Sequence, residues 1–321
     1  MKITEEKTQK YEITVLILTY NASLNKLILT IKSALLQKNV NLQIVISDDG
    51  SSINHNNDIV KYFENNKFKE YRILNRDKNE GTVASIYEAI TLCDGKYIKL
   101  ISPGDYLHGY YALRNWIDFM CDNKLSLSYA DSIYYQWKDN MIKPIRVKIN
   151  PQRTDNGIVG CIHQLVYDDI WLGASILTET ILVKEYINKI YSSVKFAEDH
   201  IYRFMTYSGE TYDFFPSKTV LYEYGTGIST KGQDIWTDRL KKDWDAADKI
   251  LSNEICYNEK LNRMVMTRLK MKEIDSGINK RIFGFIHIPG YYFYYIKLKI
   301  RPRYSSVVLD EEYIKDLLYE L

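Results

Sequence analysis

The first 131 residues alternate short apolar runs with amphipathic segments, and this alternation restricts the possible fold more than any other feature. Five runs have strand character: 13–18, 42–47, 71–74, 96–101 and 125–129, the last of which leads to Asp131. Between the runs, as at 24–35 and after Gly81, apolar residues recur at the spacing of a helix that is packed on one face. Strands that alternate with helices predict an α/β fold in which a mostly parallel, Rossmann-like sheet is flanked by helices.

The pattern changes in the second half of the chain. It is irregular beyond residue 145 until a helix is predicted at 198–207, and the C-terminal part has mainly helical character. A chain of 321 residues has room for one large domain and an extension. The predicted units are 1–131 and 132–230, which are the two halves of one domain at 1–230, and a helical extension at 231–321.

The composition argues against several classes of protein. The formal net charge is only +2, whereas nucleic-acid binders usually carry a basic field, so no nucleic-acid partner is expected. The four cysteines form no C-x-x-C pair, so we expect neither a zinc site nor disulfides, and a reducing, cytoplasmic compartment. Neither an apolar signal segment nor eighteen uninterrupted apolar residues are present, so neither secretion nor a membrane span is expected. No G-x-G-x-x-G motif follows the first strand, which disfavours a dinucleotide-dependent dehydrogenase.

Polar residues follow the first two predicted strands. Thr19, Tyr20 and Asn21 close the first strand, where the tyrosine ring could stack on a nucleobase and the asparagine could cap the next helix. Asp48 and Asp49 begin a D-D-G-S turn and could accept hydrogen bonds from a base or a ribose, although such turns are common without any ligand. Ligands of open α/β sheets bind at the carboxyl ends of the strands, so both segments are candidate binding sites.

Two glycine-containing loops add candidate residues. Gly81 precedes a helix whose open amide groups could lie near a phosphate. The fourth strand runs into Ser102 and the rest of an S-P-G-D turn, in which Gly104 would allow close approach of a ligand. Asp105 offers the hard oxygen ligand that Mg²⁺ or Mn²⁺ prefers. Pro-Gly-Asp also forms ordinary turns, so the residues alone leave both interpretations open.

An acidic pair, Glu198 and Asp199, opens the helix predicted at 198–207. Asp199 could accept a proton from an attacking hydroxyl group, although acids in a first helical turn are also favoured by the helix dipole. A glycine-containing loop at 221–230 could close over a ligand or simply connect two elements. His163 has no partners at metal-ligand spacing and is interpreted as structural.

In their order and spacing, these segments resemble the inverting, GT-A-fold glycosyltransferases of family 2. The resemblance covers 12–230 and is strongest before Asp131. It implies a hexosyltransferase that moves a sugar from a nucleotide-diphosphate sugar, UDP-linked, to a hydroxyl group of a glycan, glycolipid or glycoprotein, with inversion. It also implies that 1–131 binds the donor, that 132–230 binds the acceptor, and that the product is a bacterial cell-surface polysaccharide.

The resemblance further implies roles for individual residues. Asp199 would be the general base, with Glu198 beside it, and Asp105 would bind the divalent cation, Mn²⁺ or Mg²⁺. Tyr20 would lie against the nucleobase and Asp49 at the base or the ribose. The donor-binding residues implied are Thr19, Tyr20, Asn21, Asp48, Asp49, Gly81, Ser102, Gly104 and Ser229.

The sequence departs from the family pattern at the metal turn, and two alternatives stay open. Ser102 and Gly104 stand where acids are common in the family, and Glu223 stands where a basic residue is common. A non-catalytic partner subunit that binds nucleotide or glycan would fit the single acid, Asp105. A nucleotidyltransferase would ordinarily have a basic glycine-rich loop after the first strand, and 19–25 has none.

An uncharged aromatic segment near the C-terminus carries a separate hypothesis. Residues 282–296 read IFGFIHIPGYYFYYI, and four cations follow within 297–303. Fifteen residues are too short for a membrane-spanning helix, which needs about 20. Aromatic rings beside cations suit the surface of a membrane with a lipid-linked acceptor. We therefore expect 282–304 either to contact the inner face of the cytoplasmic membrane or to form a packing or homodimer contact.

Overall fold

The computed structural model describes residues 9–139, 141–148, 157–225, 234–275, 277–300, 304–305 and 307–319. The strands are β1 Tyr11–Thr19, β2 Leu42–Asp48, β3 Tyr71–Asn75, β4 Gly95–Ile101, β5 Tyr106–Leu107, β6 Leu127–Lys138, β7 Met141–Lys148, β8 Ile176–Glu179, β9 Tyr212–Glu223 and β10 Tyr304–Ser305. The helices are α1 Leu24–Leu35, α2 Asn56–Asn65, α3 Thr82–Ala89, α4 Ala112–Asp122, α5 Ile158–Val166, α6 Thr180–Ile190, α7 His200–Ser208, α8 Asp234–Leu251, α9 Glu259–Lys272, α10 Gly277–His287, α11 Pro289–Ile300 and α12 Glu311–Leu318.

The strands form one sheet with a parallel centre. β3, β2, β1 and β4 are neighbours in that order and run parallel. Thr19 pairs with Asp48, and Asp48 with Asn75, so these strands end at a common edge. β8 lies antiparallel between β4 and β6, β9 pairs parallel with β6, and β7 and β10 continue the sheet antiparallel. The predicted α/β fold with a largely parallel sheet is therefore confirmed, and its carboxyl edge carries the acidic turns.

The central strand β1 explains why the apolar runs are continuous. Leu16 and Leu18 face a core that includes residues of α3, α6 and α7. Ile13, Val15 and Ile17 face a second core, which includes residues of α1 and α4. Successive side chains point to opposite faces of a strand, so a strand that is covered on both faces needs apolar residues at every position. The C-terminal helices α8 and α9 add apolar side chains to the first core.

Two boundaries differ from the sequence-based prediction. The strand predicted at 125–129 is β6, which continues past Asp131 to Lys138 because β9 pairs with it on both sides of this aspartate. Asp131 is therefore buried in the middle of a strand, and the prediction that it ends one was wrong. The helix predicted at 198–207 begins at His200, so the acidic pair lies in the turn before α7.

The C-terminal part of the chain is mainly helical where it is described, from α8 to α12. None of the helices in the described ranges combines the length and the apolar character needed to cross a membrane. The division into units at residue 230 stays a prediction.

Candidate active site

The Asp49 carboxylate accepts hydrogen bonds from the loop between β3 and α3. Its Oδ1 accepts hydrogen bonds from the Arg76 guanidinium at 2.7 Å and from the Glu80 N–H at 3.1 Å. Its Oδ2 accepts from the Gly81 N–H at 2.8 Å. Gly81 has a φ of +102°, and a Cβ there would lie 2.5 Å from the carbonyl oxygen of Lys195, so only glycine fits at this position. Asp49 thus holds the start of α3 close to the segment that contains Lys195.

The turns after β1 and β2 are joined by side chains. Asp48 Oδ1 accepts from the Ser51 hydroxyl at 2.6 Å, and Asn21 Oδ1 accepts from the Ser52 N–H at 2.9 Å. Asn21 therefore does not cap α1, as it could have done, because Ser23 occupies the N-cap position. Thr19 and Asp48 line a narrow cavity at these strand ends.

Tyr20 directly follows β1, with 51% of its surface exposed. An exposed ring next to the strand ends is accessible to a planar ligand, because a nucleobase can stack on its face. The geometry therefore places Thr19, Tyr20 and Asp48 in one region, and a role in binding a nucleotide stays a prediction for each.

The S-P-G-D turn after β4 is held from three sides. The Gly104 N–H donates to the Thr30 hydroxyl at 3.2 Å, and the Tyr135 hydroxyl donates to the Gly104 carbonyl at 2.5 Å. Asp105 Oδ1 accepts from the Glu223 N–H at 3.2 Å. Burial raises the pKa of Asp105 to about 7, against the opposing effects of that N–H and of the Lys99 charge. Asp105 is therefore a fixed, inward-facing carboxyl group.

Glu223 places a second carboxylate beside this turn. Its Oε2 lies 2.5 Å from the position that a Cβ on Gly104 would occupy. Both carboxylate oxygens accept from Lys26 Nζ at 2.7 Å. Gly104 itself has no side chain, but a carboxylate from β9 reaches the space that a side chain at this position would occupy.

Lys99 is a buried cation that the sequence-based interpretation missed. It is 0% exposed on β4, and its Nζ donates to the carbonyl groups of Ala174 at 2.5 Å, Leu100 at 3.1 Å and Ile176 at 3.3 Å. Burial lowers its pKa to about 7, while the charges of Asp105 and Asp199 raise it. A lysine inside an apolar strand was the available signal, because lysine is almost never fully buried without partners.

The acidic pair lies in the turn before α7. The carboxylate of Asp199 packs against Gly173, in the 3-10 turn Gly173–Ser175, and any Cβ at 173 would collide with it. Burial and the Asp199 charge raise the pKa of Glu198 well above its ordinary value, with a further contribution from Asp243. Glu198 therefore retains a proton more readily than an ordinary glutamate.

The fold brings most, but not all, of the predicted residues together. Asp105 and Asp199 are both close enough to Lys99 to affect its pKa, and Asp49 and Gly81 adjoin the segment before Asp199. Ser102 is exposed on its turn. Ser229 and the rest of the predicted closing loop at 226–230 lie outside the described residues.

His163 on α5 contacts the rings of Tyr167, directly after α5, and of Tyr294 on α11. Its ring centroid is 5.2 Å from that of Tyr167 and 4.5 Å from that of Tyr294. These contacts fit the structural role inferred from the sequence.

The carboxylate oxygens at the S-P-G-D turn suit a divalent cation whose remaining ligands come from a substrate. Among the described residues, no group of three or more His, Cys, Asp and Glu side chains could hold a metal ion. Asp105 and Glu223 nevertheless provide hard oxygens beside Gly104, and one or two carboxylates suffice for Mg²⁺ when phosphates and water complete its shell.

A largely parallel α/β sheet with polar turns at its carboxyl edge is typical of α/β proteins that bind their ligands at the ends of the strands. Within that class, residues 14–171 match the model of the family described as "Glycosyl transferase family 2". This segment is a glycosyltransferase family 2 domain, and the chain has the GT-A fold. The match includes Asp49 and Asp105 and ends before Asp199.

Solved structures have the same fold at low sequence identity. Residues 1–349 of Staphylococcus aureus TarS match with a TM-score of 0.57 and 14% identity, over 85% of this chain and 74% of TarS 1–349. The same protein in complex with UDP-GlcNAc matches with a TM-score of 0.56 and 14% identity, over 85% and 75% of the two chains. The mannosyltransferase PcManGT of Pyrobaculum calidifontis, in complex with GDP-Man and Mn²⁺, matches with a TM-score of 0.52 and 10% identity, over 97% and 86%. No curated protein matches the chain in sequence.

Proposed function

We propose that this glycosyltransferase moves a hexose from a UDP-linked donor to a hydroxyl group of a glycan, glycolipid or glycoprotein acceptor, with inversion. The observation that carries the proposal is that Asp105 and Asp199 both lie near the buried Lys99. Lys99 Nζ donates to the carbonyl group of Ala174, whose neighbour Gly173 packs against the Asp199 carboxylate, and the charges of Asp105 and Asp199 both raise the pKa of Lys99. A single displacement needs a base that takes the proton of the acceptor hydroxyl and a charge that stabilises the departing diphosphate. Asp199 could supply the first, and Asp105 could hold a cation that supplies the second.

Asp199 is proposed as the general base. Its carboxylate packs against Gly173, where the absence of a side chain leaves room for the carboxylate itself. Burial and the neighbouring charge raise the pKa of Glu198, so this residue retains a proton more readily than an ordinary glutamate and is less available as a base. Asp199 would take the proton of the acceptor hydroxyl as its oxygen attacks the anomeric carbon, and the bond from that carbon to the nucleoside diphosphate would break.

The donor is proposed to lie along the ends of β1, β2 and β4. Tyr20 would stack on the base, and Asp48 and Asp49 would face the base and ribose, while Gly81, Ser102 and Gly104 would adjoin the diphosphate. TarS in complex with UDP and UDP-GlcNAc supports a uridine nucleotide, and PcManGT in complex with GDP-Man makes a guanine nucleotide the alternative outcome.

A divalent cation, Mn²⁺ or Mg²⁺, is proposed to be held by Asp105, with Glu223 as a second oxygen donor. The complex of PcManGT with Mn²⁺ supports a cation in this fold. When bound, the cation would neutralise charge on the departing diphosphate. Lys26, which contacts both oxygens of Glu223, would have to move from that carboxylate or share it.

The test is a panel of nucleotide sugars scored by release of nucleoside diphosphate, with and without glycan and lipid-linked acceptors. We expect release with one UDP-sugar, stimulated by the correct acceptor. Binding of UDP without any release across the panel would instead favour the non-catalytic partner subunit.

The α10–α11 hairpin supports a further proposal, that the protein contacts the inner face of the cytoplasmic membrane. One side of the hairpin packs on the domain, where Ile288 and Tyr294 are buried. The other side exposes six large apolar residues, each at least 54% exposed: Ile278, Ile282, Phe285, Ile286, Phe293 and Ile296. Those of α10 recur at the spacing of one helix face, and Lys280 and Arg281 lie among them in the sequence.

Sedimentation with vesicles tests the membrane proposal. We expect salt-sensitive binding to vesicles that contain phosphatidylglycerol, weaker binding to phosphatidylcholine vesicles, and loss of binding in Phe285→Ser/Ile286→Ser. A dimer that depends on the same two residues, without vesicle binding, would identify the face as a homodimer contact.

A further inference from the structure

The turn that carries the proposed base has an unusual source of stabilisation. Asp199 occupies the N-cap position of α7, but its side chain makes no capping hydrogen bond to the helix. The three backbone N–H groups before the acidic pair instead point to Asp243 on α8. Lys195 N–H donates to Oδ1 of Asp243 at 3.1 Å, and the N–H groups of Phe196 and Ala197 donate to Oδ2 at 2.6 and 3.0 Å.

The Asp243 carboxylate is well placed for this role. The residue is only 4% exposed, and a buried carboxylate must be compensated by hydrogen-bond donors. Three backbone N–H groups supply them, and hydrogen bonds to a charged acceptor are about twice as strong as neutral ones. A single side chain therefore fixes three consecutive peptide groups.

The same segment also contacts the proposed donor side. The carbonyl oxygen of Lys195 accepts from the Val83 N–H at 3.0 Å, at the start of α3. That carbonyl also adjoins Gly81, whose N–H donates to Asp49 at 2.8 Å. Residues 195–197 thus lie between the proposed nucleotide-binding loop and helix α8.

The position of this segment determines where α7 begins. The carbonyl group of Ala197 accepts from the His200 N–H at 3.3 Å, and that of Glu198 accepts from the Ile201 N–H at 3.0 Å. A shift of the segment would therefore move the first turn of α7 and, with it, the Asp199 carboxylate.

We propose that Asp243 is a positioning residue for the general base, so that α8 belongs to the catalytic unit. The proposal rests on the proposed role of Asp199 as that base. Asp243 would touch neither substrate nor reacting atoms. It holds the turn that carries Asp199, and a misplacement of the base by about 1 Å can lower the rate on the order of 10²-fold.

The test compares Asp243→Asn and Asp243→Ala with two controls on the same helix, all in the full chain. Asp248→Asn alters a buried acid that contacts Arg203 at 2.9 Å and Lys272 at 2.6 Å, without a hydrogen bond to 195–197. Asp245→Asn alters an exposed acid. The measurements are kcat and donor KM, with the nucleotide sugar that turns over fastest in the panel, together with UDP affinity and Tm.

We expect kcat to fall on the order of 10²-fold in Asp243→Asn, and further in Asp243→Ala, with UDP affinity and donor KM within about twofold of native. The asparagine keeps an oxygen for Phe196 and Ala197 but turns an N–H₂ group towards the Lys195 N–H. Asp248→Asn should lower Tm while it keeps kcat per folded molecule, and Asp245→Asn should change neither.

Two results would overturn the positioning role: native kcat in folded Asp243→Asn, or a loss that simply follows Tm and appears equally in Asp248→Asn. If Asp243→Ala does not fold, Asp243→Asn still decides. Native turnover in Asp199→Asn would overturn the base assignment and the positioning role together. An inactive Asp199→Asn beside a native Asp243→Asn would overturn the positioning role alone.

Discussion

The Asp49 turn at the carboxyl edge of the sheet and the Asp199 turn before α7 are assembled in different ways. Asp49 draws all three of its hydrogen-bond donors from residues 76–81, and the described residues of the proposed nucleotide-binding side lie between Thr19 and Gly104. The surroundings of Asp199 come from separate segments, namely Lys99 on β4, Gly173 before β8, and Asp243 on α8 through the preceding turn. The proposed donor side is therefore assembled within residues 19–104, whereas the surroundings of the proposed base join segments as far apart as Lys99 and Asp243.

The two sides should respond differently to substitution. Changes on the donor side should weaken nucleotide binding, because its residues would face the nucleotide itself. Changes around Asp199 should lower kcat while nucleotide binding survives, since that side would face the acceptor. Separate measurements of kcat and of UDP affinity can therefore test the division.

The strongest test of the division is Asp199→Asn. The substitution keeps the shape of the side chain and removes the proton acceptor, so kcat should fall by about 10²–10⁴. UDP affinity, measured by calorimetry, should stay within about twofold of native. Turnover at the native rate would pass the role of base to Glu198 or another acid.

The second test concerns the cation, which would contact the diphosphate. Asp105→Asn should lower turnover on the order of 10²-fold, because the cation would lose its buried carboxylate ligand and with it several kcal/mol of charge stabilisation. EDTA should have a similar effect on the native protein, reversed by added Mn²⁺.

Direct binding of Mn²⁺, followed by electron paramagnetic resonance in the presence of UDP, provides a readout other than activity. It should weaken in both Asp105→Asn and Glu223→Gln. Full turnover in EDTA would contradict the metal-dependent mechanism.

The third test adds a single methyl group. Gly173→Ala places a Cβ where the Asp199 carboxylate lies, so the carboxylate must move, and kcat should fall by up to about 10²-fold with UDP affinity preserved. Gly277→Ala is the matched control, because a Cβ at that position meets no atom within 4 Å. Equal kinetics in both variants would show that the observed position of Asp199 does not matter for turnover.

The fold, and the meeting of the strand ends that carry the proposed donor side, were predictable because their signals are local. Strand β1 is covered on both faces, so residues such as Leu16 and Ile17 form a continuous apolar run that the sequence displays directly. Asp48 and Asp49 follow such a run, and parallel pairing then brings the strand ends together. The boundary at Asp131 was wrong because pairing with β9, and not a turn signal, determines the length of β6.

The surroundings of the base were not predictable in the same way, because the contacts that make them join distant residues. Lys99 and Ala174 are 75 residues apart. Phe196 and Asp243 are 47 apart, and no spacing rule connects an acid on α8 with a turn before α7. Only the buried lysine of β4 left a recognisable trace in the sequence, as a charge within an apolar strand.

The smallest expected effect belongs to the donor side. Tyr20→Ala removes an exposed ring that is proposed to stack on the nucleobase, and stacking of a base on an aromatic side chain contributes about 1–3 kcal/mol. UDP affinity should therefore fall by roughly 10-fold, with kcat at saturating donor close to native. Tyr20→Phe keeps the ring and should bind UDP like the native protein. A loss of kcat without a loss of UDP affinity in Tyr20→Ala would place this ring on the acceptor side. The division between the two sides would then fail at Tyr20.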